Sequence, residues 1–257
     1  MLNVGIAQID VLTGDRRGNQ RRVSEWMSQY SAGASNVTAI VLPELWDVGY
    51  ALERKEELAD DEGSSSEEFL SGLAMRYGVW FVGGSVLARS SGRFFNRAQV
   101  IDPSGKLVAQ YDKAHLVPMF DEPVHLSAGS SRCLFEIGEV TAGCAVCYDL
   151  RFCEFIRRYA LDGAKVLFLS AQWPHARIEH WSAMLKARAI ENMMFVAACN
   201  RVGKYGGKSM VIDPSGTVLY EGAEDREEGA FITIDPSSVD VIRSFLKVFE
   251  MRRPELY

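Results

Sequence analysis

An α/β fold of two similar halves, with two sheets packed face to face and helices outside both, is predicted by three features of this chain. Strand-like and helix-like periodicities alternate from end to end. The strand-like runs are continuously apolar, as strands covered on both faces are. A six-residue segment, Val100-Ile101-Asp102-Pro103-Ser104-Gly105, also returns as Val211-Ile212-Asp213-Pro214-Ser215-Gly216.

The first half reads as strand 3–9, helix 18–30, strand 38–43, helix 65–77, strand 79–87 and a hairpin across 95–110. The second reads as strands 132–136 and 139–146, helix 151–162, strand 165–170, helix 178–191, strand 193–199 and a hairpin across 208–221. Strand 229–234 and helix 236–246 close the chain. Asp-Pro-Ser-Gly suits a type I turn in each hairpin, with proline second and glycine last. The surroundings repeat too: Phe81-Val82-Gly83-Gly84 precedes the first hairpin as Phe195-Val196-Ala197-Ala198 precedes the second. No Pro/Ser-rich linker separates the halves, so residues 1–257 are expected to form a single domain. The acidic stretch Glu53 to Ser66 reads as a solvated loop, with a conceivable role in covering a site.

The 257 residues are 47% apolar and 24% charged, an ordinary globular composition. A net charge of −6 without a basic stripe argues against nucleic-acid and anionic-membrane partners. No segment approaches the roughly 20 apolar residues that span a bilayer. The N-terminus enters a strand with no basic region before it, so no signal peptide is evident. The five cysteines, 133, 144, 147, 153 and 199, are an odd number without secretory features, which favours free thiols in a reducing cytoplasm. Cys144 and Cys147 are three apart on an extended strand and face opposite ways, which disfavours a shared metal or disulfide. No metal or other cofactor is expected.

Three short segments carry candidate chemistry. In Gly143-Cys144-Ala145-Val146-Cys147-Tyr148-Asp149-Leu150-Arg151-Phe152, an apolar strand ends in charged residues. That places Cys147 at a strand-to-helix corner, where following amides favour thiolate over thiol. Glu44, after Pro43 at the end of the run Ala39 to Leu42, is partly desolvated by Leu45 and Trp46 and suits general-base work. Lys113, in Tyr111-Asp112-Lys113-Ala114-His115-Leu116, follows the first hairpin, whereas Tyr220-Glu221-Gly222-Ala223 after the second has no lysine. A Cys147–His115 pair is an alternative; His115 serves equally well to orient a loop.

Together, Leu42-Pro43-Glu44-Leu45 and the Lys113 and Cys147 segments resemble, in order and approximate spacing, the nitrilase superfamily of carbon–nitrogen hydrolases. The resemblance covers essentially the whole chain, including Val4-Gly5-Ile6-Ala7-Gln8 and Arg188-Ala189-Ile190-Glu191-Asn192. It implies a four-layer αββα sandwich with internal pseudo-two-fold duplication, assembled as a homodimer or larger homo-oligomer. It also implies a triad in which Glu44 is the general base, Lys113 the cationic partner and Cys147 the nucleophile. Glu122, neighbour to Asp121 and ahead of Leu126-Ser127-Ala128-Gly129, matches a second glutamate found in many members. The N–H of Tyr148 would join Lys113 around an oxyanion. Trp173 and Arg151 would shape the pocket or meet a substrate carboxylate; Arg151 serves equally as a salt bridge anchoring the nucleophile helix.

Cys-Tyr-Asp-Leu-Arg-Phe, Ser170-Ala171-Gln172-Trp173-Pro174 and the ending Pro254-Glu255-Leu256-Tyr257 resemble the ω-amidases. Those enzymes hydrolyse the terminal amide of 2-oxo dicarboxylic acid monoamides, such as 2-oxoglutaramate to 2-oxoglutarate and ammonia. Deaminated-glutathione amidases share nearly the same wording, and Cys153 replaces the usual Pro or Ala after Arg-Phe. N-carbamoyl hydrolysis, nitrile hydrolysis and a non-catalytic binding protein on the same fold are the rival readings.

Overall fold

Strands that are apolar on both sides need cover on both sides, and two layers of helices supply it. The computed structural model describes residues 1–30 and 38–256, so Tyr257 of the C-terminal wording lies outside the described residues. The first sheet contains β1 (Leu2–Gln8), β2 (Thr38–Val41), β4 (Trp80–Ser90), β5 (Arg93–Ile101), β6 (Leu107–Asp112) and β13 (Glu228–Ile234). Its order is β13-β1-β2-β4-β5-β6, with the two-residue β3 (Asp60–Asp61) paired to β4. The second contains β7 (Cys133–Ile137), β8 (Val140–Val146), β9 (Val166–Ala171), β10 (Phe195–Asn200), β11 (Met210–Ile212) and β12 (Val218–Glu221), in the order β12-β11-β10-β9-β8-β7.

Side-chain alternation assigns the faces. Leu2, Val4 and Ile6 of β1 join one cluster with Ala142, Leu167 and Phe168 of the second sheet, while Ala7 and Ile9 join Trp26, Met27, Leu70 and Leu73. The latter four belong to α1 (Arg16–Tyr30) and α3 (Ser64–Tyr77), which cover the first sheet. Helices α5 (Cys153–Leu161) and α6 (Ile178–Asn192) cover the second through Ile156, Tyr159, Leu185 and Ala189. Gly143 lets α5 approach: a Cβ there would meet Tyr159 Cδ1 at 2.4 Å. The result is the four-layer αββα sandwich of the nitrilase type.

The internal repeat is structural. β1, β2 and β4 run parallel, followed by antiparallel β5 and β6; β8, β9 and β10 run parallel, followed by antiparallel β11 and β12. The recurring turns share their hydrogen bonds. Asp102 Oδ1 accepts from Ser104 N, Ser104 Oγ and Lys106 N, as Asp213 Oδ1 does from Ser215 N, Ser215 Oγ and Thr217 N.

Some boundaries differ from expectation. β4 runs to Ser90 and turns through Ser91-Gly92 directly into β5, which makes the first hairpin part of a three-strand meander. Residues 147–151 form a 3₁₀ turn before α5 starts at Cys153, because Asp149 reaches back to the Val146 N–H. Met193, left-handed with φ 48°, closes α6 and delays β10 to Phe195. The larger correction concerns Glu53 to Ser66. It is not a solvated loop: it holds a 3₁₀ turn, α2 (Lys55–Leu58), β3 and the start of α3. Leu58 is buried, Asp60 caps α3 by accepting from Ser65 N and Ser66 N, and Lys55 Nζ donates to His125 O at 2.8 Å. Its acidic composition concealed these anchors.

Behind the Pro43–Gly49 turn, Asp47 is fully buried and accepts from Arg16 Nη2 at 3.1 Å and Leu87 N at 3.2 Å. Burial pushes its carboxyl up from 3.8 to about 6 despite the Arg16 charge. The folded state therefore holds a proton that the unfolded chain releases first, and stability falls as pH rises from about 4 to about 6 by up to about 3 kcal/mol. Asp47→Asn is expected to remove this component. Urea titrations of both proteins across that range check it, and an unchanged pH slope in the variant would contradict the assignment.

Candidate active site

Four irregular stretches of backbone converge where the sheets end. β2 stops at Val41 because Pro43 cannot extend the ladder. The chain then turns against β4, with Leu45 N donating to Ser85 Oγ at 2.8 Å and Trp46 N to Ser85 O at 2.9 Å. Gly84 is required beneath this turn: at φ 81°, an added Cβ would lie 2.7 Å from Leu42 Cβ. The turn delivers Glu44, fully buried. Lys113 follows β6 and is pinned by its N–H to Asn96 O and by Gly129 N to its carbonyl, both at 2.9 Å. Glu122 opens the short α4 (Glu122–His125) after Asp121 turns left-handed at φ 54°. Of that adjacent pair Glu122 is buried and Asp121 exposed.

Cys147 terminates β8 with φ 45°, a conformation costly for a residue with a Cβ and sustained only where surroundings impose it. Asp149 imposes much of it. Its Oδ2 accepts from Val146 N at 2.9 Å and Tyr111 OH at 2.7 Å; its Oδ1 accepts from His115 N at 3.1 Å and lies 2.7 Å from His115 Nδ1. Arg188 of α6 donates to Leu150 O through Nε and Nη2, at 3.0 and 2.8 Å. His115 is thus committed to Asp149 and stacks on Phe152 at 3.7 Å; it orients the turn and forms no pair with Cys147. The anchoring imagined for Arg151 belongs to Arg188.

The three predicted groups meet, and Glu122 joins them. Lys113 Nζ donates to Glu44 Oε1 at 2.7 Å and to Glu122 Oε1 at 2.8 Å, with all three side chains fully buried. The Cys147 thiol faces the Glu44 carboxylate, which acts on its proton affinity. Burial alone would strip Lys113 of its proton, but Glu44 and Glu122 outweigh it and raise its affinity for the proton. Burial likewise raises Glu122, opposed by Lys113. Cys147 is pushed well above an ordinary thiol, by burial first and Glu44 next, with Lys113 opposing. Burial and Glu44 thus act against the thiolate that the corner position favours. Among the described residues, no group of three His, Cys, Asp or Glu side chains is arranged to hold a metal ion.

Several participants carried no local signal. Tyr50 OH lies 3.0 Å from Glu44 Oε1 and 2.8 Å from Glu122 Oε1. Asn96 Nδ2 donates to Glu44 Oε1 at 2.8 Å, and Gln172 N to Glu44 Oε2 at 2.9 Å. Each comes from a different element, so no spacing in the sequence linked them to Glu44.

A cavity of ≈ 30 Å³ adjoins Cys147, lined by Val117, Phe120, Tyr148, Arg151, Trp173 and Arg177 among others. It shares Val117, Met119, Tyr148, Arg151 and Arg177 with an outer cleft of ≈ 400 Å³, where Pro118 and His180 join them. Arg151 lies over the Trp173 ring at 4.8 Å and the Tyr148 ring at 5.8 Å. Trp173 is fixed by its N–H to Asn200 Oδ1 at 2.6 Å and by Nε1 to Arg177 O at 2.8 Å. No carboxylate lines either space, and neither Arg151 nor Arg177 pairs with one among the described residues. Arg177, which lines both spaces, is a candidate that sequence reasoning missed.

Comparisons with known proteins agree with this geometry. The sequence pattern of the family described as carbon-nitrogen hydrolase matches residues 3–244. A 2-oxoglutaramate amidase of Bacillus subtilis (strain 168) is 40% identical, over 99% of this chain and 98% of that protein. The omega-amidase YafV of Escherichia coli (strain K12) is 37% identical, over 73% of each. Among solved structures, XC1258 from Xanthomonas campestris, a CN-hydrolase superfamily protein, superposes with a TM-score of 0.89 at 30% identity, covering 98% of this chain and 97% of that one. With its buried Glu, Lys and Cys side chains at the ends of a duplicated sandwich, the chain belongs to the carbon–nitrogen hydrolase family.

Proposed function

We propose that the protein, acting as a single hydrolase domain over residues 1–257, is an ω-amidase that hydrolyses the terminal amide of small carboxylated amides such as 2-oxoglutaramate. The observation that carries this reading is the buried Lys113 ammonium held between the Glu44 and Glu122 carboxylates, with the Cys147 thiol facing Glu44 and Lys113. The similarity to proteins named 2-oxoglutaramate amidase and omega-amidase supports it.

An amide carbonyl is a weak electrophile, so proton transfer and oxyanion stabilisation must accompany attack. As Cys147 Sγ bonds to the carbonyl carbon, its proton passes to Glu44 and the C=O electron pair moves onto oxygen. The Lys113 ammonium and the Tyr148 N–H receive that oxyanion; one such donor is worth about 2.7–4 kcal/mol. The tetrahedral adduct collapses, the C–N bond breaks, and Glu44 returns the proton to the departing nitrogen, which leaves as ammonia. Water then adds to the thioester while Glu44 takes its proton. Breaking the C–S bond, with that proton returned to sulfur, releases the acid and restores the thiol. Glu122 holds Lys113 in place throughout.

The outer cleft supports a carboxylated substrate. In a chain of net charge −6, the route to Cys147 is lined by Arg151 and Arg177 and by no acid. Arg151, stacked on Trp173, and Arg177 present guanidinium groups suited to bidentate carboxylate binding. The reading includes a reducing, cytoplasmic setting in which five free thiols persist. It also includes a homodimer. Around the C-terminal helix α7 (Ser237–Leu246), Phe245 is 84% and Met251 76% exposed. The adjoining groove mixes Arg157, Arg158 and Arg252 with Glu154 and Glu191, the self-complementary charge that a two-fold contact needs.

Three outcomes test these assignments. Ammonia release from a panel of amides that includes 2-oxoglutaramate should vanish in Cys147→Ala, and intact mass spectrometry of Glu44→Gln mixed with substrate should show an acyl increment that Cys147→Ser lacks. Absence of turnover on every amide would end the enzyme reading. Arg177→Ala should raise KM for a carboxylated amide about ten- to hundredfold, the loss of one charged hydrogen bond, with little change for a neutral amide. Equal losses on both would remove its carboxylate role. Sedimentation should show a dimer that Phe245→Asp shifts toward monomer; a wild-type monomer at micromolar concentration contradicts that part.

A further inference from the structure

Tyr50 closes a ring that the mechanism above does not use. Glu44 Oε1 and Glu122 Oε1 are bridged on one side by Lys113 Nζ, at 2.7 and 2.8 Å, and on the other by Tyr50 OH, at 3.0 and 2.8 Å. Lys113 has a proton for each carboxylate and one to spare. Tyr50 has one proton for two acceptors, so it bonds one oxygen at a time and presents a lone pair to the other. We propose that Tyr50 is a positioning residue that passes its hydroxyl hydrogen bond between the two carboxylates, donating to Glu44 while Glu44 is anionic and to Glu122 once Glu44 holds the nucleophile's proton. The proposal rests on Glu44 acting as the base.

The surroundings confine the hydroxyl to these two partners. The Tyr50 ring is packed edge-on against Phe120, with centroids 5.2 Å apart, so the phenol cannot swing to solvent without unpacking it. The remaining oxygens are otherwise committed: Glu44 Oε2 to Gln172 N at 2.9 Å and Glu122 Oε2 to Val117 N at 2.6 Å. Burial and the two carboxylates hold the phenol proton firmly, so Tyr50 moves a hydrogen bond and not a proton. The charged and titratable groups facing it are Glu44 from the turn after β2, Lys113 from the end of β6, Glu122 from α4 and Cys147 from the end of β8. Tyr205, beyond β10, faces Glu44 and Cys147 from the other side.

A bond that moves in this way tempers the base in both directions. Donation to anionic Glu44 keeps it from retaining a proton before substrate arrives. Withdrawal to Glu122 after proton transfer favours the protonated carboxyl, so that it holds the nucleophile's proton until the tetrahedral adduct collapses. Fixed donors such as Asn96 and Gln172 N favour the anion at every stage and cannot make this adjustment.

The test is the pH profile of kcat/KM for amide hydrolysis in wild type, in Tyr50→Phe, and in enzyme carrying fluorinated tyrosines of graded acidity at position 50. The acid limb reports the titration of the carboxylate pair. Tyr50→Phe should move that limb upward and lower kcat by about ten- to hundredfold, the scale of one hydrogen bond to a charged group. The fluorinated series, which keeps ring and hydroxyl, should move the limb downward as the hydroxyl becomes a stronger donor. An acid limb fixed across the fluorinated series overturns the proposal, whether or not Tyr50→Phe folds. Failure of wild type to hydrolyse any amide would instead fault the functional reading itself.

Discussion

The buried Lys113 ammonium is the constraint on which the rest of this structure depends. A lone ammonium taken from water costs several kcal/mol even after relaxation, and a single carboxylate partner offsets that only with excellent geometry. Here two carboxylates share it, with Asn96 also donating to Glu44 Oε1 and the Tyr50 hydroxyl serving one Oε1 or the other. The arrangement exists only if the ends of β2 and β6 and the start of α4 reach the same point within about an ångström. Clamping the Glu44 turn on Ser85, pinning Lys113 between Asn96 and Gly129, and bracing α4 with Lys55 are therefore parts of one electrostatic requirement. The site carries one more carboxylate than ammonium, and that excess adds to burial in raising the Cys147 thiol.

Asp149 couples this charge cluster to the nucleophile. One carboxylate holds the Val146 N–H just before Cys147, Tyr111 two residues before Lys113, and His115 two residues after it. Movement of the lysine strand and of the cysteine turn are thereby linked through a single buried group. The same carboxylate turns residues 147–151 into a short 3₁₀ segment, whereas burial first and the facing Glu44 next are what raise the thiol. A helix terminus that would lower a thiol's pKa in isolation is outweighed by burial and by a carboxylate in contact.

What the sequence made legible follows from how local each signal is. Strands covered on both faces show as apolar runs, so their order and the repeated hairpin could be read directly, down to the shared turn at Asp102 and Asp213. Glu44, Lys113 and Cys147 lie in compact segments and were readable as a set. Tyr50, Asn96, Gln172 and Arg177 were not, because their value comes from distances across elements that no spacing encodes. Gln172, for example, meets Glu44 only because β9 of the second sheet ends beside the turn after β2 of the first. Glu53 to Ser66 misled in the opposite sense: its charges face outward, whereas Leu52, Leu58 and Asp60, which decide its structure, are few.

The duplication also shows where chemistry departed from architecture. Both halves build parallel strands that end in a turn-linked antiparallel hairpin, and both hairpins close on the same Asp-Pro-Ser-Gly turn. Counting equally far beyond those aspartates leads to Lys113 in one copy and to Glu224 in the other, at the rim beside Lys208. Where the second sheet's β9 ends, the chain places a neutral Gln172 against the Glu44 carboxylate. A symmetric site would put like charges together at the interface of the two sheets and leave them uncompensated. Concentrating lysine and both glutamates on the first half, and the cysteine on the second, makes the contact between halves attractive and places the base and the nucleophile on opposite sheets. The packing that buries the core is then the same packing that brings thiol and carboxylate together, so folding and assembly of the site are one event.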